Sequence, residues 1–249
     1  MRVLVTGASS GIGRALLPLF AADGHELVVV ARRETALEEA TRSLGVKSEI
    51  VALDLAKPGA VDALFQRTGP VDVVVNNAGF GLYGLFAEQD RAKLSEMIAL
   101  NIAALTEMTH VYLAPMRARR SGKFLQVAST AAFQPGPRMA VYYATKAYVL
   151  SLSEALAAEL EGSGVTVTTL CPGPTRSEFN DTAGYAVTPL VDKQMMTSDE
   201  VARVGYRALM RGERLAIAGA KNKLLAVASQ VGPRGLVLAV TDRLMRSRE

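Results

Sequence analysis

Six short apolar runs, VLV at 3–5, LVVV at 27–30, SEIVAL at 48–53, VDVVV at 71–75, KFLQVA at 123–128 and VTVTTL at 165–170, alternate with longer stretches of helical periodicity. Such alternation indicates strand–helix–strand units and a parallel sheet buried on both faces. The helical stretches fall near 11–23, 34–44, 58–67, 88–117, 140–161 and 198–211, with Gly24, Gly45 and Gly162 where C-terminal caps belong. Right-handed crossovers then predict an α/β fold with a doubly wound parallel sheet and helices on both faces.

At 249 residues, with 49% hydrophobic and 21% charged side chains, the chain suits one domain over 1–249 with a large core and excludes a chain dominated by disorder. Two segments break the rhythm. Residues 176–197, carrying Asn180, Asp181, Thr182, Gly184 and Pro189, read as a long irregular connection of the kind used as a substrate lid. From 221 onward, apolar runs alternate with basic residues around Gly232-Pro233, which predicts two short helices broken at Pro233, packed on the body or a subunit rather than on a membrane.

The net charge of +4 is spread along the chain, and Arg117, Arg119, Arg120 and Arg243, Arg246, Arg248 read as solvated helix ends rather than a nucleic-acid surface. A single cysteine, Cys171, excludes an intramolecular disulfide and reads as a buried thiol in a reducing compartment. Two histidines and one cysteine, with no HExxH or Cys-x-x-Cys, leave metal chemistry without ligands. The chain enters a strand at Val3 without the pattern of a signal peptide, and no uncharged apolar run reaches about 18 residues. A soluble, cytoplasmic protein is the expectation.

The first strand runs into Thr6-Gly7-Ala8-Ser9-Ser10-Gly11-Ile12-Gly13, and a helix follows through Ala15, Leu16, Leu19 and Phe20. Glycines there let the backbone approach a pyrophosphate, while unpaired N–H groups and the helix dipole favour its charge. Gly7, Ser9, Ser10, Gly11, Ile12 and Gly13 are therefore candidate cofactor residues. The second strand ends at Ala31-Arg32-Arg33, where an acid would hold the ribose 2′-hydroxyl of NAD; two arginines suit a 2′-phosphate and favour NADP(H). Asp54-Leu55 closes the third strand and Asn76-Asn77-Ala78-Gly79 the fourth, at the carboxyl ends that line the ligand crevice of open α/β sheets.

Tyr142 and Lys146 open a long helical stretch, and an i,i+4 pair shares one face about 5–6 Å apart at Cβ. A cation there stabilises tyrosinate and is expected to lower the phenol from its usual value near 10. Tyr142 could then exchange a proton with a carbonyl oxygen. Ser129, thirteen residues earlier and at a strand's carboxyl end, can hydrogen-bond the same oxygen. Asn101 lies within the helical stretch 88–117, where a buried asparagine could relay protons through water behind Lys146.

In this order, TGASSGIG, Asp54-Leu55, NNAG, Asn101, Ser129, Tyr142-x-x-x-Lys146 and Pro172-Gly173 resemble the short-chain dehydrogenases/reductases of ordinary length, over about residues 2–176. The resemblance implies a Rossmann-like sheet and NADP(H)-dependent hydride transfer between nicotinamide and a small-molecule carbonyl or alcohol. It implies Tyr142 as acid/base, Ser129 orienting the substrate, Lys146 binding the nicotinamide ribose and Asn101 completing a proton relay. Tyr142 and Lys146 thus also touch cofactor, and Pro172, Gly173 and Thr175 hold the nicotinamide, Thr175 reaching its carboxamide. A homodimer or homotetramer built on the long helices is implied too.

Departures accompany the likeness. The common double serine reads Ala128-Ser129, followed by Thr130-Ala131-Ala132 where a glycine often occurs. Tyr143 faces Ala147 rather than a lysine at i+4 and is expected to line the pocket, with Phe133, Gln134, Arg138, Phe179 and Tyr185. Gly7-Ala8-Ser9-Ser10-Gly11 also matches the nucleophile elbow of serine hydrolases, but His25 and His110 offer no acid–histidine pair. The remaining alternative is an NADPH-binding sensor or scaffold without turnover.

Overall fold

The computed structural model of the protein describes residues 1–179, 183–184 and 195–246. Six parallel strands fall on the six apolar runs: β1 (Arg2–Thr6), β2 (Glu26–Ala31), β3 (Ser48–Ala52), β4 (Val73–Asn76), β5 (Gly122–Val127) and β6 (Val165–Cys171). Thr175–Arg176 and Met196–Thr197 form a separate parallel pair, β7 and β8, and Leu215–Ile217 (β9) adds a seventh strand to the main sheet. Both additions escape a pattern search because two or three residues carry no periodicity. The main sheet has the order β3-β2-β1-β4-β5-β6-β9, so the winding reverses between β1 and β4. Ligands bind outside the carboxyl ends of strands at such a reversal.

The strands are apolar on successive residues because each face is covered. Val3 and Val5, Leu27 and Val29, and Val73 and Val75 pack with Leu16, Leu17 and Phe20 of α1 (Gly11–Ala22) and with Val201 and Leu209 of the helix Ser198–Arg211. The alternate residues Leu4, Val28, Val74 and Phe124 meet Leu64, Met108, Tyr112 and Met116 on the other side. Each such side chain, fully withdrawn from water, contributes about 1.5–3 kcal/mol.

The predicted helix over 88–117 is a continuous helix, Arg91–Ala118, whose middle, Ala99–Ala104, is π-helical. By length and composition this helix could cross a membrane, but Met97, Met108, Tyr112 and Met116 are buried in the body, as in a core helix. Ala140–Glu159 is the second long helix. The tail forms Ala220–Val231 and Arg234–Arg246, separated at Gly232-Pro233 as expected. Of the expected lid 176–197, the ends are described; Asn180, Asp181, Thr182, Tyr185 and Pro189 lie outside the described residues.

Candidate active site

Above the carboxyl ends of β1, β2, β4, β5 and β6 opens a cleft of about 550 Å³. Its walls include Gly7, Ser9, Ser10, Gly11, Ile12, Arg32, Arg33, Asp54, Leu55, Asn77, Ala78, Gly79, Ser129, Tyr142, Lys146, Pro172, Gly173 and Thr175. Residues separated by more than a hundred positions thus converge because every loop leaves the same edge of one sheet. Gly13 and Asn101 are not in the wall.

The glycine turn is shaped by two close approaches. Gly7 has φ +64°, and a Cβ there would stand 2.7 Å from Asn77 Nδ2; a Cβ on Gly13 would stand 2.4 Å from the Gly7 carbonyl. Gly13 therefore lets α1 press onto the turn rather than meeting a ligand itself. Asn77 Nδ2 donates to the Thr6 and Gly7 carbonyls at 2.9 and 3.2 Å, while Thr6 Oγ1 accepts from the amides of Asn77 and Ala78, both at 3.0 Å. These bonds fix the fourth-strand loop against the first. Ser10, the N-cap of α1, makes no side-chain capping bond, so the helix N-terminus faces the cleft without a built-in carboxylate or hydroxyl cap. This cradle fits a dinucleotide pyrophosphate.

At the end of β2, Arg32 pairs with Glu96 at 3.3 Å and Arg33 with Glu178 at 2.7 Å. The arginine side chains are 64% and 56% exposed, so each pair is worth only about 0–1 kcal/mol and can yield to a stronger anion. Asp54 accepts from the Ala56 amide at 3.1 Å, an ordinary Asx turn that also shapes the cleft edge.

Ser129, two residues beyond the end of β5, is extended and caps the 3₁₀ turn Thr130–Phe133, its Oγ accepting from the Ala131 amide at 3.1 Å. The same hydroxyl donates to the Pro172 carbonyl at 3.4 Å and acts on the Tyr142 phenol as a downward pull. Lys146 Nζ donates to the Val127 carbonyl at 2.8 Å and stands 5.8 Å from the centre of the Tyr142 ring. The lysine does not bring the phenol down as expected from spacing: burial pushes Tyr142 well above its usual value, against a smaller downward pull from Ser129. Burial also lowers Lys146, to about 8. Both ionisations are costly in this apolar corner, where Tyr142 lies with Met97, Ala131, Met139, Ala183 and Met245.

Asn101, in the π-helical turn, is buried; its Oδ1 accepts from the Phe80 amide at 3.1 Å, and its Nδ2 donates to the Phe80 carbonyl at 2.9 Å and to Thr145 Oγ1 at 3.1 Å. Its side chain ties the loop after β4 to the Tyr142 helix. Both Nδ2 protons are engaged by these bonds, while Oδ1 keeps a second lone pair. Cys171 is buried behind the site, its thiol pushed up to about 12 by burial.

Of the expected pocket walls, Gln134, Tyr143 and Phe179 line the cleft. Phe133 instead packs with Ala128, Val149 and Leu150, and Arg138 pairs with Asp242 at 3.4 Å. Tyr185 is outside the described residues. Phe80, Met139 and Met245 complete the apolar end of the cleft. Met245 had no sequence signal: it lies on the last described helix, held there by the Tyr83 hydroxyl donating to its carbonyl at 2.7 Å. Both histidines lie apart from the cleft, which removes the hydrolase reading.

A doubly wound sheet with a glycine turn at its reversal and a Ser–Tyr–Lys group on the adjoining loops defines a nucleotide-binding oxidoreductase of the Rossmann type. The chain belongs to the short-chain dehydrogenase family, whose model matches residues 1–186. It is 33% identical over 178 residues to the ketoacyl reductase HetN of a Nostoc species, a match covering 69% of this chain and 62% of HetN. A short-chain dehydrogenase from Sphingobium yanoikuyae, solved in complex with NADPH, superposes with a TM-score of 0.83 at 33% identity, over 92% of this chain and 93% of that one. The bulky-bulky ketone specific alcohol dehydrogenase of Comamonas testosteroni follows with a TM-score of 0.77 at 28% identity, over 92% of each chain.

Proposed function

We propose that this protein transfers hydride between NADP(H) and an apolar or amphipathic carbonyl or alcohol compound. The observation that carries the reading is one cleft with a phosphate cradle and paired arginines at one end and Ser129, Tyr142 and Lys146 at the other. The cofactor, when bound, supplies the hydride for reduction and accepts it for oxidation. Ser129 and Tyr142 hold the substrate oxygen, and Tyr142, kept protonated by burial, gives its proton as charge develops there. The resulting phenolate is balanced by the Lys146 ammonium and regains its proton from solvent. Lys146 has spent one of its three donors on Val127, which leaves two for the nicotinamide ribose. Asn101 acts as a positioning residue through Phe80 and Thr145.

The 2′-phosphate reading rests on chemistry. Charge-assisted bonds are worth about 1.5–3 kcal/mol each, more than the exposed pairs that Arg32 and Arg33 would give up. Similarity to the NADPH-complexed Sphingobium protein supports the same cofactor. The aromatic and methionine walls favour a bulky apolar ketone, in keeping with the Comamonas relative. As in the family, the long helices Arg91–Ala118 and Ala140–Glu159 would form the subunit contacts, and the buried thiol suits a cytoplasmic setting.

A panel of ketones and alcohols, followed by NADPH absorbance with wild type beside Tyr142→Phe, tests the whole reading. Turnover should fall about 10²- to 10⁴-fold in the variant while NADPH binding persists. Undiminished activity would remove Tyr142 from the chemistry; tight cofactor binding with no turnover across the panel would favour the non-catalytic alternative.

A further inference from the structure

The tail helices touch the site with one face and leave the opposite face uncovered. On the inner side, Asn222 packs so closely over Gly173 that a Cβ there would lie 2.3 Å from its Nδ2, while Ala226 and Thr241 are buried and Met245 enters the Tyr142 cluster. On the outer side, Leu224, Val231, Leu236 and Val240 are 71%, 80%, 62% and 51% exposed. Positions 224 and 231 differ by seven residues and 236 and 240 by four, so each helix presents a stripe along its outer face. Water-facing leucines and valines in such rows need a cover.

Charge decides which cover. Between 220 and 246 the sequence carries Lys221, Lys223, Arg234, Arg243 and Arg246 against one acid, Asp242. Asp242 is itself engaged by Arg138 at 3.4 Å and Arg246 at 2.7 Å. Lys221 and Lys223 flank the Leu224 stripe, and Arg234 and Arg243 adjoin Leu236 and Val240; all four are exposed. Pairing two copies through this face by a two-fold axis would set cation against cation. An anionic lipid surface answers both features, taking up the apolar stripes while its headgroups meet the basic flanks.

We propose that the helices Ala220–Val231 and Arg234–Arg246 dock in the plane of an anionic membrane surface, as a peripheral contact independent of the cofactor reading. The test is co-flotation of the full chain with equimolar phosphatidylcholine–phosphatidylserine vesicles, beside pure phosphatidylcholine vesicles. Wild type should float with the anionic vesicles only and be released by salt. The double variant Lys221→Gln, Lys223→Gln should partition roughly thirtyfold more weakly, and Leu224→Asp with Val231→Asp should remain in solution. These side chains are exposed, so unchanged melting and unchanged turnover in each variant verify an intact fold. Failure of wild type to float, or equal flotation on both vesicle types, would overturn the proposal. So would a dimer in light scattering that Leu224→Asp with Val231→Asp dissociates, which would give the face to a second copy.

Discussion

At the scale of single residues, the site is a set of groups held where ionising them is unfavourable. Lys146 is lowered to about 8 from its ordinary 10.5 by burial, so between those values the folded protein binds fewer protons than the unfolded chain. Stability attributable to this residue therefore rises with pH across that window and is least near neutrality. Lys146→Met should lose turnover yet melt higher than wild type at neutral pH, with a smaller rise on alkalisation; melting curves across the window, beside activity, check both. Reduction by wild type should likewise decline as pH rises past about 8, as the ammonium that balances the Tyr142 phenolate is lost. At the other end of the cleft, Arg32→Ala with Arg33→Ala should weaken NADPH at least about tenfold while leaving NADH nearly unchanged. Equal losses in titrations of the two cofactors would remove the 2′-phosphate contact. The identities of Tyr142, Lys146, Ser129, Arg32 and Arg33 as cleft residues were all legible in the sequence, because turn chemistry and helical spacing are local. Their protonation energetics were not, since burial is a property of the surrounding packing.

At the scale of elements, six strands and the long helices follow from periodicity, but three features depend on neighbours. The π-helical turn Ala99–Ala104 turns Asn101 toward Phe80 and Thr145, and nothing in LNIAAL distinguishes it from an ordinary helix. Gly13 reads as part of a phosphate loop, yet its contact is with the turn behind the cleft. The helix Arg234–Arg246 reads as tail, yet its Met245 lines the apolar end of the cleft. That placement is held by Tyr83 and by the Arg138–Asp242 pair. Removing the first hold with Tyr83→Phe should raise KM for a bulky ketone about fivefold, at the scale of one neutral hydrogen bond, with kcat little altered. Steady-state kinetics separate the two; a fall in kcat alone would place Tyr83 in the chemistry instead.

At the scale of the whole molecule, the sheet reversal between β1 and β4 gathers the loops into one cleft, and the helices that flank it offer surfaces for assembly. Ile98 and Tyr148, 45% and 36% exposed, lie on the two long helices proposed to join subunits. Light scattering should return the mass of a dimer or tetramer, and Ile98→Asp should shift it toward the monomer; a wild-type monomer would contradict that assembly. By itself the sequence determined the α/β class, the strand–turn–helix that cradles phosphate and the Ser129, Tyr142 and Lys146 group, since each is written in short-range pattern. Only the tertiary structure decided that Asn101 is bonded to Phe80, that Tyr142 is buried, which pushes its phenol upward, and that the tail both lines the cleft and bares an apolar, basic face. Those outcomes are set by contacts between residues up to 162 positions apart, as in the bond from Tyr83 to Met245, and no local pattern encodes such distances.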